Sequence, residues 1–265
     1  MRLLVSVVSA EEAGHALAGA ADIIDVKDPR EGPLGAPAPR VLSEVVRVVG
    51  ATAPVSVALG DLPALPHTAA LAARGAAFSG ARYVKVGLRH VHELDLAVEM
   101  MRAVADAVGP QTGVIAVAYA DAQELEPAAI APAELPELVE RTAIAGALID
   151  TFVKDGRGLF AWSSESELGR LIARTRRAGA IFAVAGQLRR GELHRVPADV
   201  VGVRSAVCRG GDRTAELDVD LVAAAAAEVH GGGPSQAGTI RVPPARPPGR
   251  RTSTVTPVRR TASGR

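Results

Sequence analysis

Lysine is scarce in this chain. Of 30 Lys and Arg residues only Lys27, Lys85 and Lys154 are lysines, which leaves 27 arginines. A composition rich in Ala, Gly, Arg and Pro suggests a GC-rich coding sequence, in which a lysine kept only for surface charge would drift to arginine. Arginine forms no imine and stays protonated near neutral pH, whereas a lysine of lowered pKa can form an imine and move protons. Cysteine occurs once, at Cys208. That excludes an intramolecular disulfide framework and predicts a protein of the reducing cytoplasm. Aromatic residues make up only 3% of the chain, so a core must be built from Val, Leu, Ile and Ala. No run approaches the roughly 18 apolar residues of a membrane span. No basic region with a cleavage site precedes the first apolar run, so no signal peptide is predicted. The six histidines are scattered and no His/Cys cluster has metal-ligand spacing. With no dinucleotide motif either, neither a metal nor a cofactor is expected.

What is present suffices for a large core. The chain has 265 residues, 48% hydrophobic and 22% charged, enough for one large α/β barrel or two small domains. Net charge is +1, but its distribution is uneven. From His230 onward there are seven arginines and no acid, so the preceding body carries −6, since +1 minus +7 gives −6. Residues 230–265 are dense in Gly, Pro, Ser and Thr and lack apolar periodicity, which predicts a disordered basic tail. A basic arm can bind nucleic acid or another polyanion, but this one lacks interleaved aromatics, and no nucleic-acid role is expected of it.

Residues 1–229 repeat a strand-then-helix pattern. Short runs rich in Val and Ile fall at 3–8, 22–27, 55–60, 83–88, 113–119, 147–152, 181–186 and 200–207. Their continuous apolarity suits parallel strands covered on both faces. Helix-compatible stretches lie between them at 10–20, 39–49, 66–79, 90–108, 135–146, 164–178, 191–195 and 217–229. Ser9 with Glu12 predicts a capping box, and Ser163-Ser164 followed by Glu165 and Glu167 predicts a helix start. Eight β/α units in one domain predict a TIM (β/α)8 barrel; a doubly wound sheet is the alternative, although it seldom needs eight regular units. Apolar outer helices on such a barrel are compatible with a homo-oligomer.

In a barrel, functional groups collect at the C-terminal ends of the strands, and residues i and i+2 share a face. Asp25 and Lys27 then both point inward from strand two. Tyr83, Lys85 and Gly87 share a face of strand four, while Asp150 closes strand six with Lys154 reaching back. Burial and neighbouring cations favour a neutral amine, and the two acids can balance charge and relay protons. An ordinary ion pair at a strand end is the competing reading of each Asp–Lys motif. The segment Val201-Gly202-Val203-Arg204, followed by Cys208-Arg209-Gly210-Gly211-Asp212-Arg213, occupies unit eight, where such barrels hold phosphate. Gly210 and Gly211 are expected to offer backbone N–H groups, Arg204 or Arg213 the charge, and Gly186 the rest of the cup. Tyr119 and Asp121, at the end of strand five, are plausible lining groups, and either could equally be structural. Cys208 reads as a packed residue.

These motifs carry a resemblance. Leu3-Leu4-Val5-Ser6, the segment from Ala21 through Asp25-Val26-Lys27-Asp28-Pro29 to Ala36, and Tyr83-Val84-Lys85-Val86-Gly87-Leu88 resemble the (5-formylfuran-3-yl)methyl phosphate synthase family. So do Tyr119-Ala120-Asp121-Ala122, Asp150-Thr151 with Lys154-Asp155-Gly156, and the Val201 to Arg213 segment. The match covers residues 1 to about 229, and the arginine-rich tail and the Pro/Ala-rich stretch 124–136 depart from the pattern. The resemblance implies a TIM barrel that condenses two glyceraldehyde 3-phosphate molecules into a phosphorylated furan aldehyde. One phosphate and two waters would be lost with no net redox change. It places the imine on Lys27, proton transfer on Lys85 and Lys154, and two acids on Asp25 and Asp150. The furan would supply a methanofuran-like cofactor or a furan metabolite. Another imine-forming aldolase or a phosphosugar isomerase on the same barrel remains the alternative.

Overall fold

A computed structural model describes residues 1–195 and 197–231. Eight parallel strands close into a barrel in sequence order. They are β1 (Arg2–Val7), β2 (Ile23–Val26), β3 (Val55–Ala58), β4 (Tyr83–Gly87), β5 (Gly113–Tyr119), β6 (Gly146–Asp150), β7 (Ile181–Val184) and β8 (Val200–Val203). Seven helices accompany them among the described residues: α1 (Ala10–Ala18), α2 (Pro39–Val49), α3 (Pro66–Phe78), α4 (Leu94–Val108), α5 (Leu135–Thr142), α6 (Glu165–Arg177) and α7 (Val219–His230). None is long and apolar enough to cross a membrane.

Strand periodicity divides the core in two. Leu3, Val5 and Val7 of β1, with Val84 and Val86 of β4, belong to the larger cluster packed under the helices. The alternate residues Leu4, Ile23, Tyr83, Ile115, Leu148 and Val200 form the plug inside the barrel. Every strand is therefore apolar on both faces, as a sheet covered by helices outside and filled inside requires. On the inward face the plug gives way to polar residues toward the C-terminal ends. Ser6, Asp25 and Ser56 are neighbours in register, all buried.

Three expectations are corrected. Residues 191–195 form turns, so no helix bridges β7 and β8 there; this five-residue stretch is too short to repay helix nucleation. At Ser9 only half of the capping box forms. The Ser9 hydroxyl accepts from Glu12 N at 3.1 Å, but the Glu12 carboxylate accepts from Val8 N at 2.9 Å and pairs with Arg204. The predicted boundary at residue 230 also shifts, because α7 includes His230, whose Nε2 lies 2.7 Å from Asp22 Oδ2. Residues 232–265, which hold the rest of the predicted tail, lie outside the described residues. At α6 the expectation matches. Ser164 Oγ accepts from Glu167 N, and Glu167 accepts from Ser164 N, a complete capping box.

Candidate active site

The inward-facing ends of β2, β4 and β6 bring five charged side chains together. Lys85 Nζ donates to Asp25 Oδ2 at 2.6 Å, and the Ser6 hydroxyl donates to the same oxygen at 3.0 Å. Asp25 is wholly buried, and among the described residues its Oδ1 has no hydrogen-bond partner. On β6, Asp150 Oδ1 accepts from Lys154 Nζ at 2.7 Å and from Thr151 N at 2.7 Å. Lys154 also donates to Thr151 Oγ1 at 3.1 Å. The loop carrying Lys154 is fixed by Asp121, whose two oxygens accept from Phe152 N and Val153 N, each at 2.8 Å. Asp121 is thus a loop anchor.

Lys27 differs from its two companions. Among the described residues its Nζ reaches only the Pro33 carbonyl, at 3.3 Å, and donates to no carboxylate. Burial and the neighbouring Lys85 and Lys154 ammonium groups lower its pKa from 10.5 to about 7, against the opposing pull of Asp150 and Asp25. Burial alone would raise the Asp150 carboxyl, but Lys154 and Lys27 outweigh it and hold it below its ordinary value. The site therefore pairs two lysines with carboxylates and leaves the third amine largely desolvated and half neutral near pH 7.

Lys27, Lys85, Asp150 and Lys154 line one cavity with Gly186, Gln187 and Leu188 after β7 and Ser205 and Arg213 after β8. Gly186, at φ 108°, turns the chain in a conformation suited to glycine. Among the described residues the backbone N–H groups of Gly186, Ser205 and Ala206 donate to no protein acceptor. They are directional donors of the kind an oxyanion takes. Arg213 stands beside them, anchored by Nη2 on the Gly32 carbonyl at 3.0 Å.

One expectation about unit eight is corrected. Arg204 lines the cavity, but all its donors are used. Nε donates to Arg213 O, Nη1 to Ser6 O and Glu12 Oε2, and Nη2 to Glu12 Oε1 and Ala215 O. A guanidinium has five N–H donors, so none remains for a phosphate. Arg204 is a buried clamp that ties β8 to β1 and α1. Gly210 and Gly211, at φ 66° and 75°, are exposed and line a depression with Arg189, Arg190 and Ala206 that adjoins the lysine cavity, sharing Gln187, Leu188 and Ser205 with it. Cys208 is buried, and burial pushes its thiol up to about 11.

The sequence reading missed Glu12 as a partner of Arg204, and Asp61 altogether. Asp61 follows β3 by three residues, and the predicted strand stopped one residue short of it. Its carboxylate receives the Tyr119 hydroxyl at 2.7 and 2.8 Å.

The family model for 4-HFC-P synthase matches residues 3–226, nearly all of the barrel and every site residue described above. The chain belongs to the 4-HFC-P synthase family. It is 43% identical over 228 residues to the (5-formylfuran-3-yl)methyl phosphate synthase of Methanothermobacter thermautotrophicus, covering 84% of this chain and 96% of that one. It is 41% identical over 229 residues to the synthase of the same name from Methanocaldococcus jannaschii, covering 84% and 97%. A Streptomyces griseus relative is 42% identical over 239 residues, covering 86% and 94%. Solved structures agree on the 4-HFC-P synthase barrel at the level of fold. Phosphoribosyl anthranilate isomerase from Thermus thermophilus superposes with a TM-score of 0.58 at 16% identity, covering 88% of this chain and 100% of that one. Orotidine 5'-phosphate decarboxylase from Pyrococcus horikoshii gives 0.56 at 17%, covering 86% and 99%.

Proposed function

We propose that this family member is a lyase that condenses two molecules of glyceraldehyde 3-phosphate into (5-formylfuran-3-yl)methyl phosphate through an imine on Lys27. The observation that carries this reading is the asymmetry among the lysines. Lys85 and Lys154 each hold a carboxylate at hydrogen-bond distance, while Lys27 has none among the described residues and its pKa is lowered to about 7. An imine needs a neutral amine as nucleophile, and only Lys27 has a physical reason to supply one.

The chemistry balances without an oxidant. Two trioses, C6H14O12P2, lose one phosphoric acid and two waters to give C6H7O6P. One triose is isomerised to dihydroxyacetone phosphate, and Lys27 adds to a carbonyl and expels water. Asp25 takes the proton that Lys85 shares with it, and the Lys85 amine so freed accepts the α-proton, giving the enamine whose carbon attacks the second triose. Phosphate elimination, ring closure and dehydration complete the furan, and hydrolysis of the imine frees Lys27. Lys154, Asp25 and Asp150 move protons among these steps. The retained phosphate would sit on the N–H groups of Gly186, Ser205 and Ala206 with Arg213 beside it. Gly210 and Gly211, which line the adjoining depression with the same Ser205 and Ala206, would close the cup on its outer side. A single buried thiol suits work in the cytoplasm, and the furan would feed a methanofuran-like cofactor or a furan metabolite.

The test is a spectrum. Incubation with glyceraldehyde 3-phosphate alone is expected to produce a near-ultraviolet furan chromophore and inorganic phosphate. Isomerised or aldol-coupled trioses without a chromophore would make the protein another imine-forming aldolase or an isomerase.

A further inference from the structure

Going round the mouth, the groups assigned above leave the arc formed by the loop after β3 and the Tyr119 end of β5 without a role. That arc is not apolar. Asp61, in the loop after β3, extends its carboxylate over Gly87, two residues beyond Lys85 on the same face of β4. A Cβ on Gly87 would collide with Asp61 Oδ1, so the glycine leaves the space that the carboxylate fills. Tyr119 ends β5 in register with Asp150 of β6 and is fully buried. Its hydroxyl donates to Asp61 Oδ1 at 2.7 Å and to Oδ2 at 2.8 Å. The Tyr119 ring is itself fixed edge-on against Phe152, with centroids 5.3 Å apart.

We propose that Asp61 is the acid of a dehydration step, held by Tyr119 and facing the substrate from the arc across the barrel from the phosphate loops. The inference rests on the furan-forming reading. That reaction must lose two hydroxyls as water, and each leaving hydroxyl needs a proton. In the step assigned to Asp61, Asp25 first takes the proton of Lys85; a C–H proton then passes to the freed Lys85 amine and the C–H electron pair becomes the new C=C bond. The C–O bond breaks, and the carboxyl proton of Asp61 leaves with the hydroxyl as water. Asp61 is half-buried and recovers its proton at the open mouth. Desolvation is the main influence on the Asp61 carboxyl and raises its pKa, Asp150 adding to the rise while the Tyr119 and Arg89 hydrogen bonds and His90 oppose it. Tyr119 acts through Asp61 and is a positioning residue. Asp25 and Asp150 are less suited to the task, since each is engaged by a lysine.

The experiment compares imine trapping with furan formation in the full-length protein. Asp61→Asn keeps an oxygen to accept the Tyr119 hydroxyl. With glyceraldehyde 3-phosphate and borohydride it is expected to give the Lys27 adduct as the wild type does. Its furan chromophore should form at least about 100-fold more slowly. Asp61→Glu should recover part of the furan rate, and Tyr119→Phe should slow furan formation with the adduct intact. Wild-type furan rates in Asp61→Asn would overturn the proposal. So would loss of adduct and furan together, which would make the pair scaffolding for the lysines. If the wild type itself gave neither adduct nor chromophore, the furan-forming reading would fall first.

Discussion

Replacing Lys27 by methionine tests the electrostatics of the site independently of turnover. Lys27 is a buried residue, 8% exposed, and its pKa drops from 10.5 to about 7. A lysine whose folded-state pKa lies below its unfolded value leaves the unfolded chain holding more protons between those two values. Stability therefore rises with pH from about 7 to 10.5, and the burial penalty is fully present below that window. At about 1.4 kcal/mol per pH unit the whole penalty is on the order of 5 kcal/mol, of which about 2 kcal/mol is relieved between pH 7 and 9. Methionine fills similar space and does not titrate. Lys27→Met should be the more stable protein at pH 7. Its advantage over the wild type should shrink by about 2 kcal/mol at pH 9. Denaturant unfolding of both proteins at the two pH values measures this, and groups common to both cancel in the difference. An advantage unchanged between pH 7 and 9 would mean that Lys27 titrates as an ordinary lysine, and its selection as the imine-forming amine would lose its physical basis.

The remaining expectations address individual parts of the site. Trapping of substrate by borohydride should accelerate as pH passes upward through about 7, where Lys27 sheds its proton; a midpoint near 10 would contradict the burial argument. Glu12→Gln leaves Arg204 buried and unpaired, so unfolding stability should fall by about 3 kcal/mol or more; a raised KM with unchanged unfolding would return Arg204 to the phosphate. Gly87→Ala displaces the Asp61 carboxylate and should slow furan formation as Asp61→Asn does, with the Lys27 adduct retained. Gly210→Ala meets no neighbouring atom, but its φ of 66° strains the turn beside Ser205 and Ala206, so KM should rise with a small loss of stability, and an unchanged KM would exclude the turn from the phosphate cup.

The eight strands were legible because each is an apolar run of a few residues, and barrel burial on both faces leaves no alternation to confuse the period. The charged site was legible for a compositional reason. Lysines are so few here that their placement two residues beyond an inward residue, or four beyond an acid, stands out. In unit eight Arg204 was misread, because an arginine in a glycine-rich loop looks the same in sequence whether its donors are free or engaged. Whether a guanidinium is free depends on distant partners, and Glu12 lies 192 residues from Arg204 in sequence. Asp61 escaped for a related reason. A lone carboxylate after a strand looks like any loop residue until Tyr119, 58 positions away, is seen to donate to it.

The central claim is that Lys27 carries the covalent bond. Borohydride reduction of the full-length protein with glyceraldehyde 3-phosphate, followed by peptide mapping, tests it most directly. The account predicts one substrate-derived adduct, on Lys27, absent from Lys27→Arg, which should also be inactive because arginine keeps the charge without the nucleophile. An adduct on Lys85 or Lys154, or turnover to the furan with no adduct on any lysine, would contradict it.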